Sequence, residues 1–192
     1  MPEVCLLKSA FFSRYATIHA ALFLSILGGT VFVYSNGIGG IFLVDDTYTL
    51  VALNEHGGVT TIENVIRFVF GNSSGLLGRP LSMLALLIDD QFYPGDAAQY
   101  RFTNLMFHCL CGAFLFVFTR KFSMQVTGGN QRQSGEIALV AMAWWLLAPL
   151  SVSTTLYVVQ RMAQLSTLFC LVGLCIYLHG RQKLTTNLVV GR

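Results

Sequence analysis

The chain has 192 residues, of which 54% are hydrophobic and 11% are charged, and its formal net charge is +3. A soluble domain carries roughly 25% charged residues, so this chain has too few charges to coat a water-facing surface. The composition excludes a soluble enzyme, a disordered regulator and a nucleic-acid-binding module. It indicates an all-α, polytopic membrane protein that forms a single membrane domain over residues 1–192.

Four apolar segments are predicted to cross the membrane as helices, because each approaches the roughly 20 residues that a bilayer core requires. The first covers residues 16–34 and is expected to continue towards Val44; a cleaved signal peptide is the alternative, but no small-residue cleavage site follows. The others cover residues 102–118, the stretch from Glu136 towards Pro149, and residues 163–178. Residues 81–88 are apolar but too short to span, so we expect an interfacial or re-entrant piece.

The basic residues predict the orientation of these segments. With the N-terminus in the cytoplasm, eight Lys and Arg residues lie on the cytoplasmic side and four on the outer side, which is the bias of the positive-inside rule. The eight are Lys8, Arg14, Arg120, Lys121, Arg132, Arg181, Lys183 and Arg192, and the four are Arg67, Arg79, Arg101 and Arg161. We therefore predict an integral membrane protein with both termini in the cytoplasm.

Residues 45–100 then form an extracytoplasmic loop that is too long to be a simple connection. Within it, residues 60–70 have the pattern of a short amphipathic helix suited to a membrane surface. Its apolar side comprises Ile62, Val65, Ile66 and Val69, and its polar side comprises Glu63, Asn64 and Arg67. A turn is predicted at residues 72–75, and we expect the loop to fold as short helices that return Arg79 towards Asp45 and Asp46.

An adjacent pair of carboxylates, Asp45 and Asp46, directly follows the apolar residues 41–44. A carboxylate held near the lipid headgroups can be partly desolvated and can act as a base towards a hydroxyl. The alternative is that both acids form a solvated helix end, and spacing alone favours that alternative.

Further polar residues lie at the predicted outer ends of the helices. Arg79 either snorkels to the interface or binds a phosphate with its guanidinium. Arg161 begins the fourth span, where the positive end of the helix dipole makes an anion site. Asn104 and His108 are four residues apart on one helical face and should face protein or a cavity rather than lipid. For these two, a helix–helix hydrogen bond and a functional role are both open.

Four motifs in this order resemble those of the GT-C membrane glycosyltransferases. They are Asp45-Asp46 after the first span, Gly78-Arg-Pro-Leu, Asn104-x3-His108, and Ala148-Pro-Leu-Ser-Val-Ser-Thr-Thr-Leu-Tyr-Val-Val-Gln-Arg-Met. The most similar group is the protein O-mannosyltransferase-like one, which includes bacterial membrane proteins with C-terminal tetratricopeptide repeats. The resemblance covers most of residues 42–181 and implies a location in a bacterial inner membrane. Each motif is weak alone, and the four in order are more specific.

The resemblance implies an inverting glycosyltransferase that moves a lipid-linked sugar from a polyprenyl phosphate to a hydroxyl of a protein or glycan at the extracytoplasmic face. Asp45 or Asp46 would be the catalytic base, with a preference for Asp45. Arg79 and Arg161 would bind the lipid phosphate, whose developing charge an arginine stabilises. The supporting residues would be Asn104, His108 and Gln160. No cofactor is required on this interpretation, although some GT-C members use a divalent metal; no Cys or His spacing would close a zinc site.

The chain also departs from the family pattern. Relatives often have a histidine where this chain has Ala148, an acid near Ser153 and Thr154, and an acid after the arginine, where Met162 stands. A different donor or acceptor, or a lost activity, would explain these changes. Because GT-C enzymes have many more helices, we expect an N-terminal fragment that is inactive alone. The alternative function is a non-catalytic scaffold or a subunit of an envelope-assembly or transport complex, although nearly charge-free spans disfavour transport.

Overall fold

The computed structural model describes the backbone of residues 2–54, 59–71, 79–92 and 95–190, and most side chains of residues 15–184. Within these ranges the chain is helical and has no strand, so the all-α prediction is confirmed. The helices are α1 (Pro2–Ile38), α2 (Val44–Asn54), α3 (Ile62–Phe70), α4 (Pro80–Phe92), α5 (Ala97–Val126), α6 (Gln131–Leu147), α7 (Ser151–Leu156) and α8 (Arg161–Val190), with a 3-10 turn at Val158–Gln160. The turn predicted at residues 72–75 and the Gly78 of the second motif lie outside the described residues.

Among the described residues, three helical stretches are long and apolar enough to cross a membrane: Tyr15–Ile38, Ala97–Val126 and Val158–Leu184. They coincide with the first, second and fourth predicted spans and indicate a membrane protein. The third predicted span corresponds to α6, which has 17 residues. That length is at the lower end of the ~17–25 residues that cross a bilayer core. The exact number of four crossings therefore stays a prediction.

The first long helix ends at Ile38 and does not continue towards Val44. Residues 39–43 are not helical, and within them Gly40 adopts a φ of 115°, a conformation that favours glycine. The acidic pair consequently lies in the first turn of a new helix, α2. Carboxylates at this position interact favourably with the positive end of the helix dipole.

The chain divides into two compact units. Unit 1 comprises Met1–Phe32, Cys109–Ala148 and Phe169–Arg192, and unit 2 comprises Val33–His108 and Pro149–Leu168. In unit 1, glycines allow close packing: a Cβ on Gly112 would lie 2.7 Å from Leu146 Cγ, and a Cβ on Gly135 would lie 2.6 Å from His19 Cε1. Small residues at such contacts are typical of helices that associate in membranes.

Unit 2 has a hydrophobic core to which the short helices α2, α3 and α4 contribute. The core residues are Leu50 and Leu53 of α2, Val59 ahead of α3, Phe68 and Val69 of α3, Met83, Leu86 and Leu87 of α4, Tyr100 of α5, and Val158 of the 3-10 turn. The described parts of the segment between the first two long helices therefore share one core. That it lies outside the membrane stays a prediction.

The predicted amphipathic helix is present as α3. It begins after the N-cap Thr61, whose hydroxyl accepts the N–H of Asn64 at 3.3 Å. Its apolar residues divide between two sides: Val69 is in the core with Val65 packed against it, whereas Ile62 and Ile66 are exposed. The helix therefore uses one part of its apolar surface for packing within unit 2 and leaves another part uncovered.

Candidate functional site

Asp46 is completely buried and acts as a capping residue of α2. Its Oδ2 accepts the N–H of Leu43 at 3.1 Å, and its Oδ1 accepts the N–H of Val159 at 3.0 Å. The bond to Leu43 is half of a capping box, in which the third helical residue reaches back to the N-cap amide. Both carboxylate oxygens thus have backbone donors, and Asp46 ties the start of α2 to the 3-10 turn.

Asp45 has very different surroundings, because its side chain is exposed. The phenol of Tyr157 lies near enough to the Asp45 carboxylate for this acid to influence its pKa. Burial raises the pKa of Tyr157 above its ordinary value, and the neighbouring carboxylate of Asp45 raises it further. The phenol therefore remains a protonated donor through the neutral and moderately basic range, and Asp45 remains accessible to a second molecule.

Arg161 is fully buried and has four contacts within unit 2. Its Nε donates to Asn104 Oδ1 at 2.8 Å, and its terminal nitrogens donate to the backbone oxygens of Ala85 and Tyr100, each at 2.9 Å. Its Nη2 also lies 2.6 Å from Asp89 Oδ2. The anion at the start of α8 is therefore a carboxylate of the chain itself. Binding of a lipid phosphate by Arg161 would require displacement of Asp89, and that role stays a prediction.

A second acidic pair, Asp89 and Asp90, joins α4 to α5. The hydroxyl of Thr103 donates to Asp89 Oδ1 at 3.1 Å, and the hydroxyl of Tyr100 donates to Asp90 Oδ1 at 2.8 Å. A buried charge needs a partner, and the ion pair between Arg161 and Asp89 supplies one to each side chain. Sequence reasoning gave these two acids no role and missed their pairing.

Asn104 and His108 are both buried, with 0% and 3% of their surface exposed, which confirms that they face protein. Asn104 Nδ2 donates to the backbone oxygen of Tyr157 at 3.0 Å, so of the two interpretations left open for it, a hydrogen bond between elements is the one observed. The ring of His108 packs against that of Tyr34, with the centroids 5.4 Å apart. Both residues thus hold neighbouring segments together, and their role as supporting residues of a substrate site stays a prediction.

Arg101 is a structural residue that sequence reasoning missed. It is 5% exposed and donates from Nε to the backbone oxygen of Leu156 at 3.1 Å. Its Nη1 binds the oxygens of Ile38 and Gly39, at 3.1 and 3.0 Å, and its Nη2 binds that of Ile41. Carbonyls at the end of a helix lack intrahelical partners and attract a cation, so Arg101 terminates α1.

Arg79 is exposed and immediately precedes α4. Its carbonyl accepts the N–H of Met83 at 3.0 Å, which makes Arg79 the N-cap residue, and Pro80 at the first helical position is typical of a helix start. None of the ion pairs among the described side chains joins Arg79 to Asp45 or Asp46. The expected approach of Arg79 to the acidic pair therefore stays a prediction, as does the role of Gln160, which is half-buried in the 3-10 turn.

In the part of the chain that the structure describes, no group of three or more His, Cys, Asp or Glu side chains is arranged to hold a metal ion. No family model matches the chain, and neither a curated protein nor a solved structure matches it. The resemblance to GT-C glycosyltransferases therefore depends on the four sequence motifs alone.

Proposed function

We propose that unit 2 contains the acceptor-activating site of an inverting, GT-C-like membrane glycosyltransferase. The donor is a sugar on a polyprenyl phosphate, and the acceptor is a hydroxyl of a protein or glycan. The observation that carries the proposal is that the two acids have different surroundings. Both oxygens of Asp46 are bound by backbone amides, whereas Asp45 is exposed and lies near the phenol of Tyr157. Two carboxylates with different environments are typical of sites in which one holds structure and the other reacts.

In the proposed reaction, Asp45 accepts the proton of the acceptor hydroxyl as that oxygen attacks the anomeric carbon of the sugar. The bond between the anomeric carbon and the phosphate oxygen breaks on the opposite face, and the polyprenyl phosphate leaves with the bonding electrons. Tyr157, which stays protonated, orients the Asp45 carboxylate by donating to one of its oxygens. A positioned general base contributes about 10²–10⁴-fold to the rate.

The leaving phosphate needs a cation, and Arg79 is the better of the two arginine candidates. Its side chain is exposed and it caps the N-terminus of α4, where unpaired amides and the helix dipole favour an anion. Arg161, by contrast, is engaged by Asp89 and three other groups within unit 2. The proposed step uses no metal, and we expect chelation of divalent ions to leave the activity unchanged.

A location of this site at the membrane surface is part of the proposal. Exposed apolar residues on the short helices support it: Ile62 and Phe70 on α3 are 81% and 69% exposed, and Phe92 on α4 is 74% exposed. Such side chains on helices too short to span favour the interface. The fourth crossing would be α6, which at 1.5 Å per residue is about 25 Å long. The bias of the basic residues favours cytoplasmic termini, and the resemblance to a bacterial group favours a bacterial inner membrane.

Complementation tests the proposal in the complete reading frame that encodes this chain. The gene and its Asp45→Asn, Asp46→Asn and Asp96→Asn variants are expressed in a host that lacks the enzyme, with glycosylation of surface protein as the readout. We expect Asp45→Asn to abolish glycosylation at unchanged membrane abundance. Asp46→Asn should lower the membrane abundance of the protein. Asp96 is an exposed acid that caps α5, so Asp96→Asn should change neither the glycosylation nor the abundance.

The alternative function is a non-catalytic scaffold or subunit of a larger envelope complex. One observation favours it: the buried arginines, Arg101 and Arg161, are bound by groups of unit 2 and hold segments together. If Asp45→Asn is well expressed and glycosylation remains at the wild-type level, Asp45 is a solvated helix residue and the scaffold becomes the better conclusion.

A further inference from the structure

A basic cavity of about 320 Å³ lies in unit 1, apart from the residues of the proposed active site. It is lined by Tyr15 and His19 of α1, Arg120 of α5, and the residues that lead into α6, including Asn130 and Arg132. The rings of Tyr15 and His19 lie nearly perpendicular to each other, with their centroids 5.7 Å apart. The cavity therefore combines aromatic walls with two arginines.

The two arginines leave positive charge available to a ligand. Arg120 is exposed, and among the described residues no ion pair involves it. Arg132 binds Glu136 through Nε at 2.9 Å, which leaves its two terminal nitrogens for another acceptor. The Arg132 guanidinium also lies 4.9 Å from the centre of the Tyr15 ring, a cation–π distance that holds it at the cavity wall.

The start of α6 adds to this positive potential. Asn130 caps the helix by accepting the N–H of Gln133 at 3.1 Å, and the preceding Gly129 has a φ of 86°. The other first-turn amides of a helix have no intrahelical acceptor, and the helix dipole favours an anion there. The arginines and the helix N-terminus thus favour the same class of ligand.

An apolar groove of about 610 Å³ begins next to the cavity. Its walls include Leu115 of α5 and Val140, Trp144 and Trp145 of α6. Glu136, which also lines the groove, pairs with Arg132 of the cavity, so one ion pair links a lining residue of each space. From Glu136 to Trp145, α6 extends about 13 Å at 1.5 Å per residue, which accommodates much of an acyl chain.

We propose that the cavity and the groove together bind an anionic phospholipid, with its phosphate between Arg120 and Arg132 and one acyl chain along α6. A free phosphate ion shares the headgroup chemistry, but it would not need the apolar groove. The predicted topology supports the lipid, because it puts Arg120 and Arg132 on the cytoplasmic side, where anionic lipids attract basic residues. This inference is independent of the glycosyltransferase proposal.

The chain offers a built-in reporter, because its two tryptophans, Trp144 and Trp145, both line the groove. The full chain is placed in phosphatidylcholine nanodiscs that contain a fixed fraction of acyl-brominated phosphatidylglycerol or, in parallel, acyl-brominated phosphatidylcholine. Bromine quenches tryptophan fluorescence at contact, so the ratio of the two quenching constants measures the preference for the anionic headgroup. Charge removal is tested with the double variant Arg120→Gln/Arg132→Gln. The control is Arg181→Gln, because Arg181 is an exposed arginine of unit 1 that does not line the cavity.

We expect brominated phosphatidylglycerol to quench more strongly, and the preference to fall about fivefold for each arginine removed. Arg181→Gln should retain the wild-type preference, and circular dichroism should give the same helix content for all three proteins. Equal quenching by the two lipids, or a preference that survives the double variant or is lost in Arg181→Gln, would overturn the proposal. A second experiment distinguishes a lipid phosphate from a free phosphate ion: inorganic phosphate is titrated calorimetrically into the protein in nanodiscs of phosphatidylcholine alone. A heat of binding that is lost in the double variant would assign the site to soluble phosphate and overturn the lipid assignment.

Discussion

Replacement of Arg161 by methionine is the perturbation for which unit 2 gives the clearest expectation. Methionine keeps an unbranched apolar stem in the buried position but removes all the donors of the guanidinium. Asp89 then loses the charge partner that lies 2.6 Å away, and Asn104 loses the donor to its Oδ1. The carbonyls of Ala85 and Tyr100 lose their donor as well.

The magnitude follows from the burial of the pair, since the Arg161 side chain is 0% and the Asp89 side chain 13% exposed. Removal of one partner from a buried ion pair destabilises a protein by about 3–5 kcal/mol, because the other charge is left uncompensated. We expect Arg161→Met to lower the free energy of unfolding by that amount. The double variant Arg161→Met/Asp89→Leu should recover at least half of the loss, since replacing both members of a buried pair by apolar groups is often close to neutral.

The assay has a global and a local readout. Unfolding of the purified chain in mixed micelles, titrated with a denaturing detergent and followed by circular dichroism, gives the change in stability. Hydrogen–deuterium exchange resolves where protection is lost, and we expect the loss in α4 and the first turns of α5. Arg181→Met, at an exposed position, serves as the control and should change the stability by less than about 0.5 kcal/mol. A loss below about 1 kcal/mol in Arg161→Met, or a double variant as unstable as the single one, would refute the buried-pair argument.

Three other expectations concern single contacts. Asp46→Ala should lower the stability by roughly 1–3 kcal/mol, measured by the same detergent titration, because two backbone amides lose their acceptor. Gly112→Ala should lower it by about 1–3 kcal/mol through overpacking against Leu146, and Leu146→Ala should relieve that clash in the double variant. Asp45→Asn should lower the pKa of Tyr157 towards its ordinary value, and the difference in ultraviolet titration between this variant and its Tyr157→Phe derivative measures it. In the wild type, the contribution of protonated Tyr157 to stability should be complete below the ordinary pKa of tyrosine and should be lost as the pH rises through the raised pKa. A Tyr157 pKa unchanged by Asp45→Asn would contradict an interaction between these two side chains.

Composition and local pattern were sufficient to predict the long helices. Apolar runs predict membrane-length helices from local information, and three of the four predicted spans coincide with helices long enough to cross. The short amphipathic helix α3 was also predicted from its period, and the burial of Asn104 and His108 from their positions within an apolar helix. These properties depend on residues that are close together in the sequence, so the pattern of one sequence is enough to predict them.

The partners of the charged residues could not be predicted in the same way. Arg161 was identified as the centre of an anion site, but its anion is Asp89, which lies 72 residues earlier in the chain. Many acids were available, and local spacing does not distinguish among them. Likewise, the bonds of Arg101 to the end of α1 depend on a tertiary approach of segments about 60 residues apart. If an arginine is expected to be buried, one can predict that carboxylates or carbonyls will accept its hydrogen bonds, but not which ones.

The most direct test of the proposed function is transfer of labelled sugar in a purified system. The protein from the complete reading frame is reconstituted in liposomes with polyprenyl-phosphate mannose and a Ser/Thr-rich acceptor peptide, and the rate of peptide mannosylation is measured for the wild type, Asp45→Asn and Asp96→Asn. The account predicts transfer by the wild type and by Asp96→Asn, with inversion at the anomeric carbon, and a rate at least about 10²-fold lower for Asp45→Asn. Transfer by Asp45→Asn at the wild-type rate would contradict the assignment of Asp45 as the base.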